Sequence, residues 1–134
     1  MSRKFPVFLD ISGKEIKVFG AGRIGARRIS SLLDFGPALT VVSPEATQEV
    51  AWAAAQGRLV WERRVYEPGE LKKELMFVLA ATPFEEVDRQ IWQECHSKGI
   101  PVNVCSDRSL CDFQLHAVQP LVCVPHRRTG RLDG

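Results

Sequence analysis

The sequence has no uninterrupted apolar run near the ~20 residues that a helical bilayer span requires, so no membrane partner is expected. Its opening stretch Phe5-Pro6-Val7-Phe8-Leu9, stopped by Asp10, is too short for a signal-peptide core, and a cytoplasmic protein is expected. The four cysteines, Cys95, Cys105, Cys111 and Cys123, include no C-x-x-C pair. That spacing gives a zinc site little support, no metal ligands are assigned, and reduced thiols are expected. No internal repeat or low-complexity linker is present. There is also little net charge: +2 over 134 residues. Residues 1–118 hold 15 Lys/Arg and 15 Asp/Glu, and the excess comes from Arg127, Arg128 and Arg131 against Asp133 in the tail. A neutral body lacks the concentrated basic face of a nucleic-acid binder, so no nucleic-acid partner is expected.

What is present is an ordinary globular composition, 45% hydrophobic and 25% charged, at a length that suits one domain. Short β-type runs alternate with helical patterns. Ile16-Lys17-Val18-Phe19 leads into glycines, and from Arg23 a stripe of Ala26, Ile29, Leu32 and Leu33 reads as a helix stopped by Gly36-Pro37. Leu39 to Val42 reads as a second strand. Ser43-Pro44 predicts the start of a second helix, with serine as N-cap and Gly57 as C-terminal cap. Leu59 to Trp61 is the third strand, and Glu70 to Glu74 a short charged segment with room for a helical turn.

Leu75 to Ala81 is almost wholly apolar, as in a strand covered on both faces of a parallel sheet. Thr82-Pro83-Phe84-Glu85 matches a capping box for a helix that carries Val87, Ile91, Trp92 and Cys95 inward and ends at Gly99. Val102 to Cys105 is the fifth strand, and Pro120 to Val124 a possible sixth. The alternation predicts an α/β fold: a Rossmann-type, doubly wound parallel sheet in a single three-layer domain.

Gly20-Ala21-Gly22-Arg23-Ile24-Gly25 is a G-x-G-x-x-G between an apolar strand and a helix, the context that gives this motif meaning. Gly20 permits the tight turn, Gly22 lets backbone approach a pyrophosphate, and Gly25 allows close helix packing. The helix N-terminus offers free N–H groups to the phosphates. A purely structural glycine turn is the plainer alternative. The acidic residue that often follows the second strand for an NAD ribose is replaced by Ser43, then Pro44 and Glu45. Ser43 could cap a helix or contact the ribose, with Glu45 in reach. No arginine immediately follows that strand to take a 2′-phosphate, which favours NAD over NADP.

Several segments together resemble the precorrin-2 dehydrogenase family, also found as the NAD-binding part of siroheme synthase. They are Phe5-Pro6-Val7-Phe8-Leu9-Asp10 with Gly13-Lys14, the glycine loop with Arg27-Arg28, Leu39 to Glu45, Ala80-Ala81-Thr82, Val102-Asn103-Val104 and Leu110-Cys111-Asp112-Phe113. The similarity covers about residues 4 to 118 and implies NAD-dependent oxidation of precorrin-2 to sirohydrochlorin on the way to siroheme. Carried over residue by residue, the resemblance implies that Gly20, Gly22, Arg23 and Ile24 touch the phosphates. It further implies that Ser43, Pro44 and Glu45 flank the adenosine, while Thr82 and Asn103 line the nicotinamide side.

The family commonly has a catalytic aspartate three residues after the asparagine of its Asn-Val motif; here that position is Ser106, followed by Asp107. Loss of a ring hydride must be accompanied by loss of a proton, for which a carboxylate is a plausible acceptor. The catalytic candidates are therefore Asp107 as the acceptor, or Ser106 positioning the substrate while water accepts the proton, with a Ser-Asp turn or helix cap as the structural alternative. Asp112 is expected to cap or turn, Cys111 to pack, and His96 to sit at a helix end. His116 stands where relatives usually have proline.

Residues 1–118 are thus expected to form an NAD-binding domain, and residues 119–134 a short divergent basic tail. Relatives, which are homodimeric, continue through a dimerisation region and a small helical domain. Most of the dimerisation region is expected to be missing here. The alternative readings are a non-catalytic NAD-binding regulatory module and an inactive truncated fragment.

Overall fold

Residues 3–115 are described by the structure, a computed structural model. Their elements are β1 (Glu15–Phe19), α1 (Arg23–Leu33), β2 (Ala38–Val42), α2 (Gln48–Ala55), β3 (Val60–Glu62), β4 (Phe77–Ala80), α3 (Glu85–Lys98) and β5 (Val102–Val104), followed by a 3₁₀ turn at Arg108–Leu110. All strand pairs are parallel, in the order β3-β2-β1-β4-β5. The expected doubly wound α/β sheet is therefore present. Its order reverses between β1 and β4, the place where such sheets bind ligands. The suggested sixth strand, at Pro120 to Val124, falls outside the described residues, as does His116.

Alternation along the central strands sorts the core into two layers. Ile16, Val18, Leu39, Val41, Phe77 and Leu79 pack with α1 and α2 through Ile29, Leu32, Val50 and Ala53. Phe19, Val42, Val78, Ala80, Val102 and Val104 form the other face with Ile91 and Cys95 of α3. Every residue of β4 is buried, which explains its unbroken apolar run.

Three local expectations are corrected. The second helix starts at Gln48, not after Ser43-Pro44: Thr47 is the N-cap and its hydroxyl accepts from the Val50 amide. Ser43 instead donates its hydroxyl to the Glu45 carbonyl and makes a turn. The charged segment Glu70 to Glu74 forms no helix. Glu70 accepts from Arg64 and Lys17, and Glu94 of α3 accepts from Tyr66 and the Gly69 and Leu71 amides, so ion pairs and hydrogen bonds pin an irregular crossover onto the sheet. Finally, α3 begins at Glu85 with Phe84 as N-cap, so the expected capping box does not form. Gly99, at φ 72°, ends that helix as expected, and Ile100 N–H closes back onto the Cys95 carbonyl at 2.9 Å.

Candidate dinucleotide site

The site forms where β1 and β4 end side by side. Gly20 has φ +101°, and a Cβ on it would stand 2.2 Å from the Ala81 carbonyl oxygen and 2.9 Å from the Thr82 nitrogen. The turn after β1 can thus press against the turn after β4 only because residue 20 has no side chain. A Cβ on Gly25 would lie 2.4 Å from the Gly20 carbonyl oxygen, so α1 is also held close to the loop. Gly22 differs from both: a Cβ there would meet nothing within 4 Å. No protein packing at the observed geometry demands a glycine at this position, and the space beside it is open.

Gly22 is the N-cap of α1, and no side chain caps that helix and no acid lies in its first turn. Arg23 and Ile24, which open the helix, are exposed. By contrast α2 has the Thr47 cap and Glu49, and α3 has Glu85, Glu86 and Asp88 in its first turn. The positive end of α1 is left for an anion, which is the electrostatic requirement of a pyrophosphate. These residues fit a dinucleotide.

Beyond β2, Ser43 is buried, its amide donates to the Glu62 carbonyl at 3.1 Å, and its carbonyl accepts from the Trp61 indole at 3.0 Å. Pro44 and Glu45 are exposed beside it. The Thr47 amide donates to the Ala21 carbonyl at 3.1 Å, tying this segment to the glycine loop.

On the other side, Thr82 follows β4 and its amide and hydroxyl both donate to Asp88 Oδ1, at 3.1 and 2.7 Å. Asp88 is only 3% exposed. Burial raises its carboxyl above the ordinary aspartate range, and the two bonds from Thr82 draw it only part of the way back. The sequence reading missed Asp88, whose spacing from Thr82 resembled ordinary first-turn acidity.

Asn103, also buried, donates its amide to the Phe113 carbonyl at 2.8 Å. One residue before, the Asp112 carboxylate accepts from the Val102 amide at 3.0 Å, and the Asp112 amide donates to the Val102 carbonyl at 2.8 Å. Together these bonds fasten the segment 111–113 beside β5. Ser106 is exposed. Asp107 is the N-cap of the 3₁₀ turn: its Oδ1 accepts from the Ser109 amide at 3.0 Å and the Ser109 hydroxyl at 2.6 Å. These bonds lower the Asp107 carboxyl below its ordinary range. Cys111 Sγ lies 3.1 Å from the Val104 carbonyl, a packing position. Arg28, on α1, sends Nη1 to the Leu115 carbonyl at 3.3 Å, while its buried Nε has no partner among the described residues. No group of three or more potential metal ligands occurs among the described residues.

A parallel sheet with a glycine loop at its switch point and an uncapped α1 N-terminus defines a dinucleotide-binding Rossmann domain. The family model described as "Putative NAD(P)-binding" matches residues 7–117. The chain belongs to this family, in the form shared by siroheme synthases and precorrin-2 dehydrogenases. It is 37% identical over 108 residues to siroheme synthase of Methylobacillus flagellatus, covering 81% of this chain and 23% of the relative. With siroheme synthase of Neisseria meningitidis it shares 31% over 109 residues, covering 81% and 22%. The solved structure of SirC, precorrin-2 dehydrogenase, superposes with TM-score 0.72 at 30% identity, covering 85% of this chain and 55% of that one. The chain therefore spans under a quarter of the length of these siroheme synthases. Among the described residues, no helix is long and apolar enough to cross a membrane.

Proposed function

We propose that this chain is the NAD-binding part of a dehydrogenase that oxidises precorrin-2 to sirohydrochlorin in siroheme synthesis. The observation that carries the reading is the open, uncapped glycine turn at the β1–β4 switch point, in a chain whose relatives are siroheme synthases and a precorrin-2 dehydrogenase. In this reading Gly20, Gly22, Arg23 and Ile24 hold the phosphates. Ser43, Pro44 and Glu45 border the adenosine, with Glu45 the acid available to a ribose hydroxyl. Thr82 borders the nicotinamide side, and Asn103 shapes it by fastening Phe113. The absence of an arginine directly after β2 favours NAD over NADP. On the sequence, residues 1–118 are assigned to the cofactor domain and 119–134 to a divergent basic tail. In this reading the protein works in the cytoplasm within a homodimer, on a tetrapyrrole substrate and with neither nucleic acid nor membrane as partner.

When bound, NAD supplies the hydride acceptor. Oxidation removes a hydride from a ring carbon and a proton from nitrogen or carbon, and that proton needs an acceptor. Asp107 is the acceptor in this reading: its carboxylate is ionised at neutral pH and Oδ2 is not used by Ser109. Ser106, exposed beside it, positions the substrate. Incubation with precorrin-2 and NAD tests the reading: sirohydrochlorin should appear with an equal amount of NADH. Failure of both products to form in the full-length protein overturns it.

One observation favours a second reading. The Asp107 carboxylate already serves as a cap, with a lowered pKa that makes it a weak base. A domain that binds NAD without turnover has use for such a cap and none for a base. NAD binding without NADH formation selects this module.

A further inference from the structure

The adenosine end of the cleft carries a cation from outside β2. In dinucleotide-binding sheets an acid at the end of the second strand takes the ribose 2′-hydroxyl of NAD, and an arginine nearby accommodates the 2′-phosphate of NADP. Ser43 stands in the place of that acid, and Glu45 beyond it is exposed, with its backbone carbonyl, not its carboxylate, taking the Ser43 hydroxyl. The arginine comes from the neighbouring strand. β2 and β3 pair in parallel with Val41 beside Trp61 and Val42 beside Glu62, and the Ser43 amide continues the ladder to the Glu62 carbonyl at 3.1 Å. One step further along that pairing Arg63 stands level with Ser43, on strands about 4.8 Å apart. Trp61 holds both. Its indole N–H donates to the Ser43 carbonyl at 3.0 Å, and the Arg63 guanidinium carbon lies 4.8 Å from the centroid of its ring. Stacking of this kind fixes a guanidinium while leaving the N–H donors on its edge free. Arg63 is exposed, and no carboxylate is paired with it among the described residues: Glu62 and Glu70 both pair with Arg64. An exposed arginine resting on a tryptophan is ordinary by itself; its place beside the residue that meets the ribose is not.

We propose that Arg63 is a specificity-determining residue that receives a 2′-phosphate at the adenosine end, so that the site takes NADP as well as NAD. With NAD, Glu45 takes the ribose hydroxyl. With NADP, the exposed Glu45 side chain turns to solvent and the Arg63 guanidinium donates to the phosphate, a charge-assisted bond that a planar guanidinium suits. The arginine missing after β2 is supplied after β3. The inference rests on the reading that the glycine turn holds a dinucleotide, and it is independent of precorrin-2 oxidation.

Calorimetric titration of NAD and of NADP into the full chain and into Arg63→Gln tests it. The wild type should bind NADP within about tenfold of NAD, a gap of no more than ~1.4 kcal/mol. Arg63→Gln should widen that gap by a further factor of about ten or more, with the melting temperature of the free protein unchanged. Because the added bond is ionic and exposed, raising the salt from about 0.05 to about 0.5 M should weaken NADP more than NAD in the wild type. In Arg63→Gln that difference should shrink. A ratio of the two affinities that is the same in Arg63→Gln as in the wild type would overturn the assignment. A wild type that binds NAD but takes NADP more than about tenfold more weakly would overturn it too, and leave the NAD reading intact. Binding of neither dinucleotide would overturn the cofactor reading and this inference together. A chain that binds both but never oxidises precorrin-2 keeps this inference and loses the proposed reaction.

Discussion

The α-carbon of Gly20 sits so close to Ala81 that a Cβ would stand 2.2 Å from its carbonyl oxygen. Two turns from distant parts of the sequence share one wall, and the positive φ of Gly20 aims the chain from one strand end into α1. Gly20→Ala would add a backbone collision to an unfavourable φ, and should lower stability by about 3 kcal/mol. Gly25→Ala, whose Cβ would meet the Gly20 carbonyl oxygen at 2.4 Å, should fall in the same range. Gly22→Ala meets nothing and should cost under about 1 kcal/mol. Urea unfolding of the three variants checks the order, and equal losses in all three would refute it.

Acid stability should depend on the crossover between β3 and β4. Burial alone would raise Glu70, but bonds from Arg64, the Glu67 amide and Lys17 outweigh it and hold its carboxyl down at about 2. Glu94 is likewise lowered: burial works against it, and Lys98 and Tyr66 lead the groups that overcome it. A depressed folded pKa contributes stability that is complete above the unfolded value of 4.5 and is lost as pH falls towards 2. Glu70→Gln should reduce stability at pH 7 by about 2 kcal/mol and flatten its decline across that window. A variant whose acid limb matches the wild type would exclude Glu70 as a source of it.

The proton-acceptor role of Asp107 has a pH signature. Because its bonds to Ser109 depress the carboxyl below 3.8, it stays ionised through mildly acidic pH. If it is the base, turnover should hold level from neutrality down to about pH 5. Asp107→Asn should then lower sirohydrochlorin formation by about 100-fold or more with NAD affinity unchanged. Ser106→Ala should lower it less, by raising KM. Unchanged turnover in both variants would remove the pair from the mechanism.

Asn103 offers a test of how the site is braced. Its amide holds the Phe113 carbonyl at 2.8 Å, and the Phe113 ring packs on Phe77 with centroids 4.9 Å apart. Asn103→Ala should cost about 1 kcal/mol by removing the bond to this half-buried carbonyl. Amide exchange at Val102 and Asp112, which bond to one another's residues, should accelerate. Exchange that stays slow would separate Asn103 from the brace.

The strands and the glycine loop were legible because their signals are local. An unbroken apolar run such as Phe77 to Ala80 belongs in a buried parallel strand, and G-x-G-x-x-G has meaning between a strand and a helix. The misread positions depend on competition among partners. Ser43-Pro44 carries every mark of a helix start, yet the Ser43 hydroxyl goes to Glu45 and the start passes to Thr47. Glu70 to Glu74 could have been a helix had Arg64 and Lys17 not drawn Glu70 into a loop. Asp88 was not legible as part of the site, because its burial follows from how β4 and α3 meet and not from its neighbours in sequence.

Calorimetric titration of NAD into the wild type and Gly22→Ala is the most direct test of the claim that the open glycine turn holds the cofactor. The account predicts saturable one-to-one binding by the wild type. It also predicts at least tenfold weaker binding by Gly22→Ala, with the variant folded to the same extent. Equal affinity in the two proteins, or no binding by the wild type, would contradict it.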